Sequence, residues 1–123
     1  MKTIFEKTLL YDFYGELLTD HQKEIYERYH LDDLSLGEIS EQLKISRQGV
    51  YDTVKRCDKL LENYENKLQL VNKFLRNKEK VNQVSKYVEE VLKELSEEQM
   101  TCEETVGKVA EIRKICQKIL EDL

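Results

Sequence analysis

The sequence predicts an all-α protein: a cluster of short N-terminal helices joined by a long helix to a C-terminal helical hairpin. Three observations predict it. The 123 residues contain four Gly and no Pro, too little turn material for a many-stranded sheet and no breaker for a helix. Apolar residues recur three and four positions apart along most of the chain, the period of an amphipathic helix. Capping signatures, Ser or Thr followed three residues later by Glu or Gln, punctuate that pattern.

Residues 2–18 carry Ile4, Phe5, Leu9, Leu10, Phe13, Tyr14, Leu17 and Leu18 at helical spacing, which makes the first element. Thr19-Asp20-His21-Gln22 reads as a capping box that opens the second, striped by Ile25, Tyr26 and Tyr29 and ending near Leu31-Asp32-Asp33. Ser35-Leu36-Gly37-Glu38 repeats the signature and opens a short helix with Leu36, Ile39 and Leu43 inward. Lys44-Ile45 is a tight connection, and Ser46 caps a helix striped by Val50, Val54, Cys57 and Leu61. The stripe runs on through Tyr64, Leu68, Val71 and Leu75. One unbroken helix from Arg47 to Arg76, about 45 Å long at the standard rise, is therefore expected. The turn that ends it is placed at Asn77-Lys78-Glu79-Lys80.

Beyond that turn, Val81, Val84, Val88, Val91 and Leu95 form one narrow seam. After a further capping box at Thr101-Cys102-Glu103-Glu104, Val109, Ile112, Cys116, Ile119 and Leu123 form another, and the two make a hairpin. Such seams pack within one chain or pair two chains into a bundle, and a short chain gains core by doubling. A homodimer through the C-terminal helices is thus one partner to expect. The domains read as residues 1–66, the N-terminal module, and 67–123, the helical extension.

Charge and cysteine usage exclude several function classes. No apolar run exceeds three residues, far short of the roughly 20 that cross a membrane, so a soluble cytoplasmic protein without a membrane partner is expected. Cys57, Cys102 and Cys116 form no CxxC pair, and His21 and His30 are the only histidines. Paired soft ligands for a metal are missing, and three reduced thiols with neither metal nor cofactor are expected. No nucleophile, base and orienting group recur together, so the chain does not read as an enzyme. His30, beside Asp32 and Asp33, reads as helix-end solvation, and the tyrosines as packing residues with their tips in water. The net charge is −5, yet residues 44–80 hold ten basic against five acidic side chains, which leaves −10 on the remainder. A basic middle on an acidic body points to an anionic partner.

Residues 34–57 carry the most specific signal. A short capped helix, a tight turn and a second capped helix have the spacing of a helix-turn-helix, with Ile45 plugging the turn. The second helix buries Val50 and Val54 and turns Arg47, Gln48, Tyr51, Asp52, Lys55 and Lys59 outward. In this arrangement the start of that helix meets base edges in the major groove. Arg47 suits guanine and Gln48 adenine, each in a bidentate fashion. Ser46 and the first helical amides suit a phosphate, Lys55, Arg56 and Lys59 suit the backbone, and Tyr51 meets a base methyl or lines the groove. Asp52, with Glu38 and Glu41 nearby, repels phosphate and weakens unaided duplex binding.

The arrangement Leu34-Ser35, Glu38-Ile39, Leu43, Ile45-Ser46 and Val50 resembles the last region of sigma-70-type factors, which binds a promoter element. Nearly the whole chain is similar to the YlxM-like family of small bacterial helix-turn-helix proteins. The likeness rests on Leu9-Leu10-Tyr11-Asp12-Phe13-Tyr14-Gly15-Glu16-Leu17-Leu18-Thr19, on Gln22, Tyr26 and Tyr29, and on Leu31-Asp32-Asp33-Leu34-Ser35-Leu36-Gly37-Glu38-Ile39. Ser46-Arg47-Gln48-Gly49-Val50-Tyr51-Asp52 completes it. It is specific over residues 9–61 and loose afterwards. The resemblance implies an all-α regulator that binds double-stranded DNA. Through the gene neighbourhood of such proteins it also implies an accessory role in the signal recognition particle pathway, with the particle's RNA or protein as partner. An adaptor that keeps the scaffold and docks a protein is the alternative. Two positions depart from the sigma-like pattern. Ser40 stands where a small Ala is usual, its hydroxyl able to reach a carbonyl. Lys44 stands where the turn offers Gly, at a cost of about 1–2 kcal/mol for a left-handed backbone unless the turn relaxes.

Overall fold

A computed structural model describes residues 3–97 and 102–122. Among them are six helices: α1 (Ile4–Tyr14), α2 (Asp20–His30), α3 (Leu36–Leu43), α4 (Arg47–Leu68), α5 (Leu70–Glu97) and α6 (Cys102–Asp122), with one 3-10 turn at Gly15–Leu17. The all-α expectation holds. The chain divides into two compact units, Met1–Val71 and Asn72–Leu123. No helix among the described residues is long and apolar enough to cross a membrane.

Local chemistry starts the first four helices where it should. The Thr19 hydroxyl accepts from the Gln22 amide at 3.2 Å while Gln22 Oε1 accepts from the Thr19 amide at 3.0 Å. Ser35 and Glu38 repeat this pair at 3.1 and 3.2 Å, and Ser46 Oγ accepts from the Gly49 amide at 2.9 Å. Each closes orphan amides of a first turn. A further box, Thr3 with Glu6, opens α1 two residues later than the sequence suggests. The box expected at Thr101 lies outside the described residues.

Burial then fixes the first unit. Ile25, Ile39, Val50 and Val54 form a closed cluster between α2, α3 and α4, with Tyr29, Leu34, Leu36, Leu43 and Ile45 packed against it. Leu10, Tyr14, Leu18, Tyr26, Cys57 and Leu61 are buried as well, where α1 and α2 meet α4. Only part of the first stripe goes inward: Ile4 and Phe5 of α1 and Leu17 of the 3-10 turn are exposed. Lys44 does sit in the left-handed region, at φ 57° and ψ 44°. The turn does not relax to spare it. Instead the Ser40 hydroxyl donates to the Ile45 carbonyl at 2.5 Å, tying the turn across its mouth.

The long spine is broken, and not where the sequence places the break. Gln69 adopts a left-handed conformation at φ 57° and ends α4, leaving Leu68 exposed. Its side-chain amide donates to the Glu65 carbonyl at 2.9 Å. The first amides of α5 then find acceptors from further away: Leu70 N donates to Tyr14 Oη at 3.0 Å and Val71 N to Glu65 Oε1 at 3.0 Å. Tyr14 Oη in turn donates to Glu65 Oε1 at 2.6 Å. This clamp replaces one long helix by two. The expected turn at residues 77–80 is absent, since α5 runs through it; Asn-Lys-Glu-Lys contains no breaker, and Lys and Glu favour helix.

Three tyrosine tips, those of Tyr11, Tyr14 and Tyr26, meet carboxylates rather than the water expected from the sequence. Tyr26 donates to Asp58 Oδ1 at 2.9 Å, and Tyr11, stacked on Tyr26 with ring centroids 5.5 Å apart, donates to Glu27. His30 is likewise not solvated beside Asp32 and Asp33. Its Nε2 lies 3.6 Å from Asp58 Oδ1, with Lys7 Nζ 3.9 Å from Asp58 Oδ2. Burial opposes ionisation of Asp58, but His30, Tyr26 and Lys7 together outweigh it and hold the carboxyl below its usual range.

In the second unit, Lys108 pairs with Glu94 and lies 3.7 Å from Glu90, linking α6 to α5. Val84, Val91, Ile112 and Ile119 are half-buried. Among the described residues of α6, Ile115 rather than Cys116 is buried, and Cys116 is exposed. Leu123 lies outside the described residues.

Candidate nucleic-acid interface

α4 is held from one side only. Val50, Val54, Cys57 and Leu61 are at most 3 % exposed, and they fall on one stripe of the helix because they are spaced three and four apart. The same period turns the opposite residues outward. Ser46, Arg47, Gln48, Tyr51, Asp52, Lys55, Arg56 and Lys59 are all exposed. Cys57 does not contribute to this surface. Burial, aided by the charge of Asp58, pushes its thiol up to about 11, so it stays a neutral packing group.

Side chains on the outward surface are ordered by one another. Gln48 Nε2 donates to Asp52 Oδ1 at 2.9 Å, and Lys55 Nζ lies over the Tyr51 ring, 5.5 Å from its centroid. Ser46 is occupied as the cap of α4, and the Thr53 hydroxyl donates to the Gly49 carbonyl at 2.9 Å. Gly49 makes room for that cap: a Cβ there would meet Ser46 Oγ at 3.1 Å.

Arg47 and Arg56 mark the two edges of the surface. The Arg47 guanidinium lies along α3, where a Cβ on Gly37 would stand 3.2 Å from it. Gly37 has no left-handed backbone to explain its glycine, so its effect here is space for this cation. Sequence reasoning missed that role, because the contact crosses the turn. Arg56 lines a shallow cleft with Thr19, His21 and Gln22 at the start of α2. Ser46, Arg47, Gln48, Tyr51, Asp52 and Lys55 are thus gathered on the first turns of α4, while Lys59 stands further along. Chemically, the surface offers four cations, one amide, one phenol ring and a single carboxylate already engaged by that amide. Of the acidic neighbours on α3, Glu38 is engaged in its capping box and Glu41 is exposed.

A family model described as "Putative helix-turn-helix protein, YlxM / p13 like" matches residues 1–112. Among similar curated proteins, YlxM of Bacillus subtilis is 52 % identical over a match that covers 61 % of this chain and 68 % of that protein. A relative from Thermoanaerobacter pseudethanolicus is 49 % identical, with 73 % of this chain and 91 % of that protein covered. A third, from Caldanaerobacter subterraneus, is 58 % identical over 66 % and 69 % of the two chains.

Proposed function

The chain belongs to the YlxM / p13-like helix-turn-helix family, and from that premise we propose that it binds duplex DNA through the first turns of α4, as a regulator rather than a catalyst. One observation carries the reading. The eight residues from Ser46 to Lys59 face outward on a helix whose other side is pinned by Val50, Val54, Cys57 and Leu61. A rigid helix with a free cationic side is what the major groove admits. Lys55, Arg56 and Lys59 supply phosphate contacts, and Arg47, Gln48 and Tyr51 face the base edges. The acidic remainder of the chain keeps unaided affinity low.

A second copy of the chain would supply a second such surface. Val81, Leu95 and Val109 are exposed on the second unit, and pairing these helices into a bundle would cover them. Light scattering is expected to give twice the mass of one chain, whereas a single-chain mass would contradict the pairing.

The adaptor reading is favoured by a different observation, the exposure of Ile4 at 81 % and Phe5 at 57 % on α1, an apolar pair that a protein partner would cover. A salt titration separates the two. With a labelled mixed-sequence duplex, log K is expected to fall linearly with log salt, and Lys55→Ala to lower affinity evenly and flatten the slope by about 1. Salt-insensitive binding to purified signal recognition particle protein, unchanged by Lys55→Ala, would favour the adaptor. Binding to the particle's RNA with none to duplex would move the same surface to RNA and to an accessory role in that pathway.

A further inference from the structure

We propose that Asp52 is a specificity-positioning residue whose carboxylate sets the amide of Gln48 to read an adenine in the major groove. The inference rests on the duplex-binding reading and deepens it. Asp52 is otherwise a contradiction: it is exposed and stands on the side of α4 meant for a polyanion, where a carboxylate works against the counterion-release term. Its partner is Gln48, one turn back, which donates from Nε2 at 2.9 Å.

The orientation of that amide follows from the chemistry of its partner. An ionised carboxylate only accepts hydrogen bonds, so Gln48 must turn its NH2 end toward Asp52. One N–H and the oxygen Oε1 are left for a ligand, a donor and an acceptor side by side. Adenine offers the complement, N7 to accept and N6 to donate. Guanine presents two acceptors, thymine an acceptor and a methyl group, and cytosine a lone donor. A glutamine free to rotate would accommodate several of these, and one held by Asp52 favours the first. Lys55, placed over the Tyr51 ring, leaves that pairing undisturbed.

The test is selection from a random-sequence duplex pool by the wild-type protein and by Asp52→Ala, Asp52→Asn and Gln48→Ala. Wild type is expected to enrich adenine at one position by roughly 10-fold. Asp52→Ala should lose that enrichment yet bind the unselected pool more tightly at low salt, having shed a negative charge. Gln48→Ala should lose the enrichment with no gain in affinity. Asp52→Asn still offers a carbonyl acceptor, so it should keep the enrichment while gaining affinity. A merely helix-stabilising pair would weaken specific and non-specific binding together and would show as a lower melting temperature, which circular dichroism reads. Adenine enrichment that survives Asp52→Ala would overturn the proposal, as would loss of a cytosine preference, the mark of Asp52 reading the base itself. Failure of the wild type to retain any duplex would overturn the duplex-binding reading and this proposal with it. Retention without an adenine position would overturn this proposal alone.

Discussion

Truncating Ile39 to alanine is expected to lower stability by about 2–5 kcal/mol, the usual range for emptying a closed aliphatic site. Ile39 is fully buried and clusters with Ile25, Val50 and Val54, so it is the residue of α3 at the centre of the packing that holds the turn and α4 in register. The loss is a large fraction of the roughly 5–15 kcal/mol that a domain has in total. Urea unfolding should show it as a lower midpoint at an unchanged slope. A change below about 1 kcal/mol would mean that the site is not closed and that α4 is not pinned as described.

The second large effect concerns Asp58. Its folded carboxyl is held below the ordinary range, so its contribution to stability is present above the unfolded value of about 3.9 and is lost as pH falls through the folded one. Asp58→Ala leaves the hydroxyl of Tyr26, a residue only 1 % exposed, without its acceptor, at a cost of about 1–3 kcal/mol near neutral pH. Wild-type and variant stabilities should differ most at pH 6–7 and converge as the acid limb below about pH 4 is reached. Parallel curves across that range would show that the cluster of Lys7, Tyr26, His30 and Asp58 is not coupled to folding.

Much of this was legible in the sequence because it is local. Thr19, Ser35 and Ser46 announce helix starts through partners three residues away. The spacing of Val50, Val54, Cys57 and Leu61 fixes both the buried side of α4 and, by subtraction, the outward one. What escaped depends on contacts far along the chain. The break at Gln69 is secured by Tyr14, more than fifty positions earlier, whose hydroxyl serves the first amide of α5. His30 finds Asp58 on another helix, although two aspartates stand nearer in sequence. Arg47 rests where Gly37 leaves room, across a turn whose left-handed Lys44 gives no local sign of itself. The Gln48–Asp52 pair is different: its spacing of four was open to sequence reasoning, but Asp52 reads there as an electrostatic obstacle, because charge alone does not reveal which neighbour a carboxylate holds.

The most direct measurement is a map of amide chemical-shift changes in the full chain as a short duplex is added at low salt. The largest changes are expected at residues 46–59, centred on Arg47, Gln48 and Tyr51, with smaller ones at the start of α2 beside Arg56. Changes confined to α1 around Ile4 and Phe5, or to the second unit, with α4 silent, would contradict duplex binding through α4.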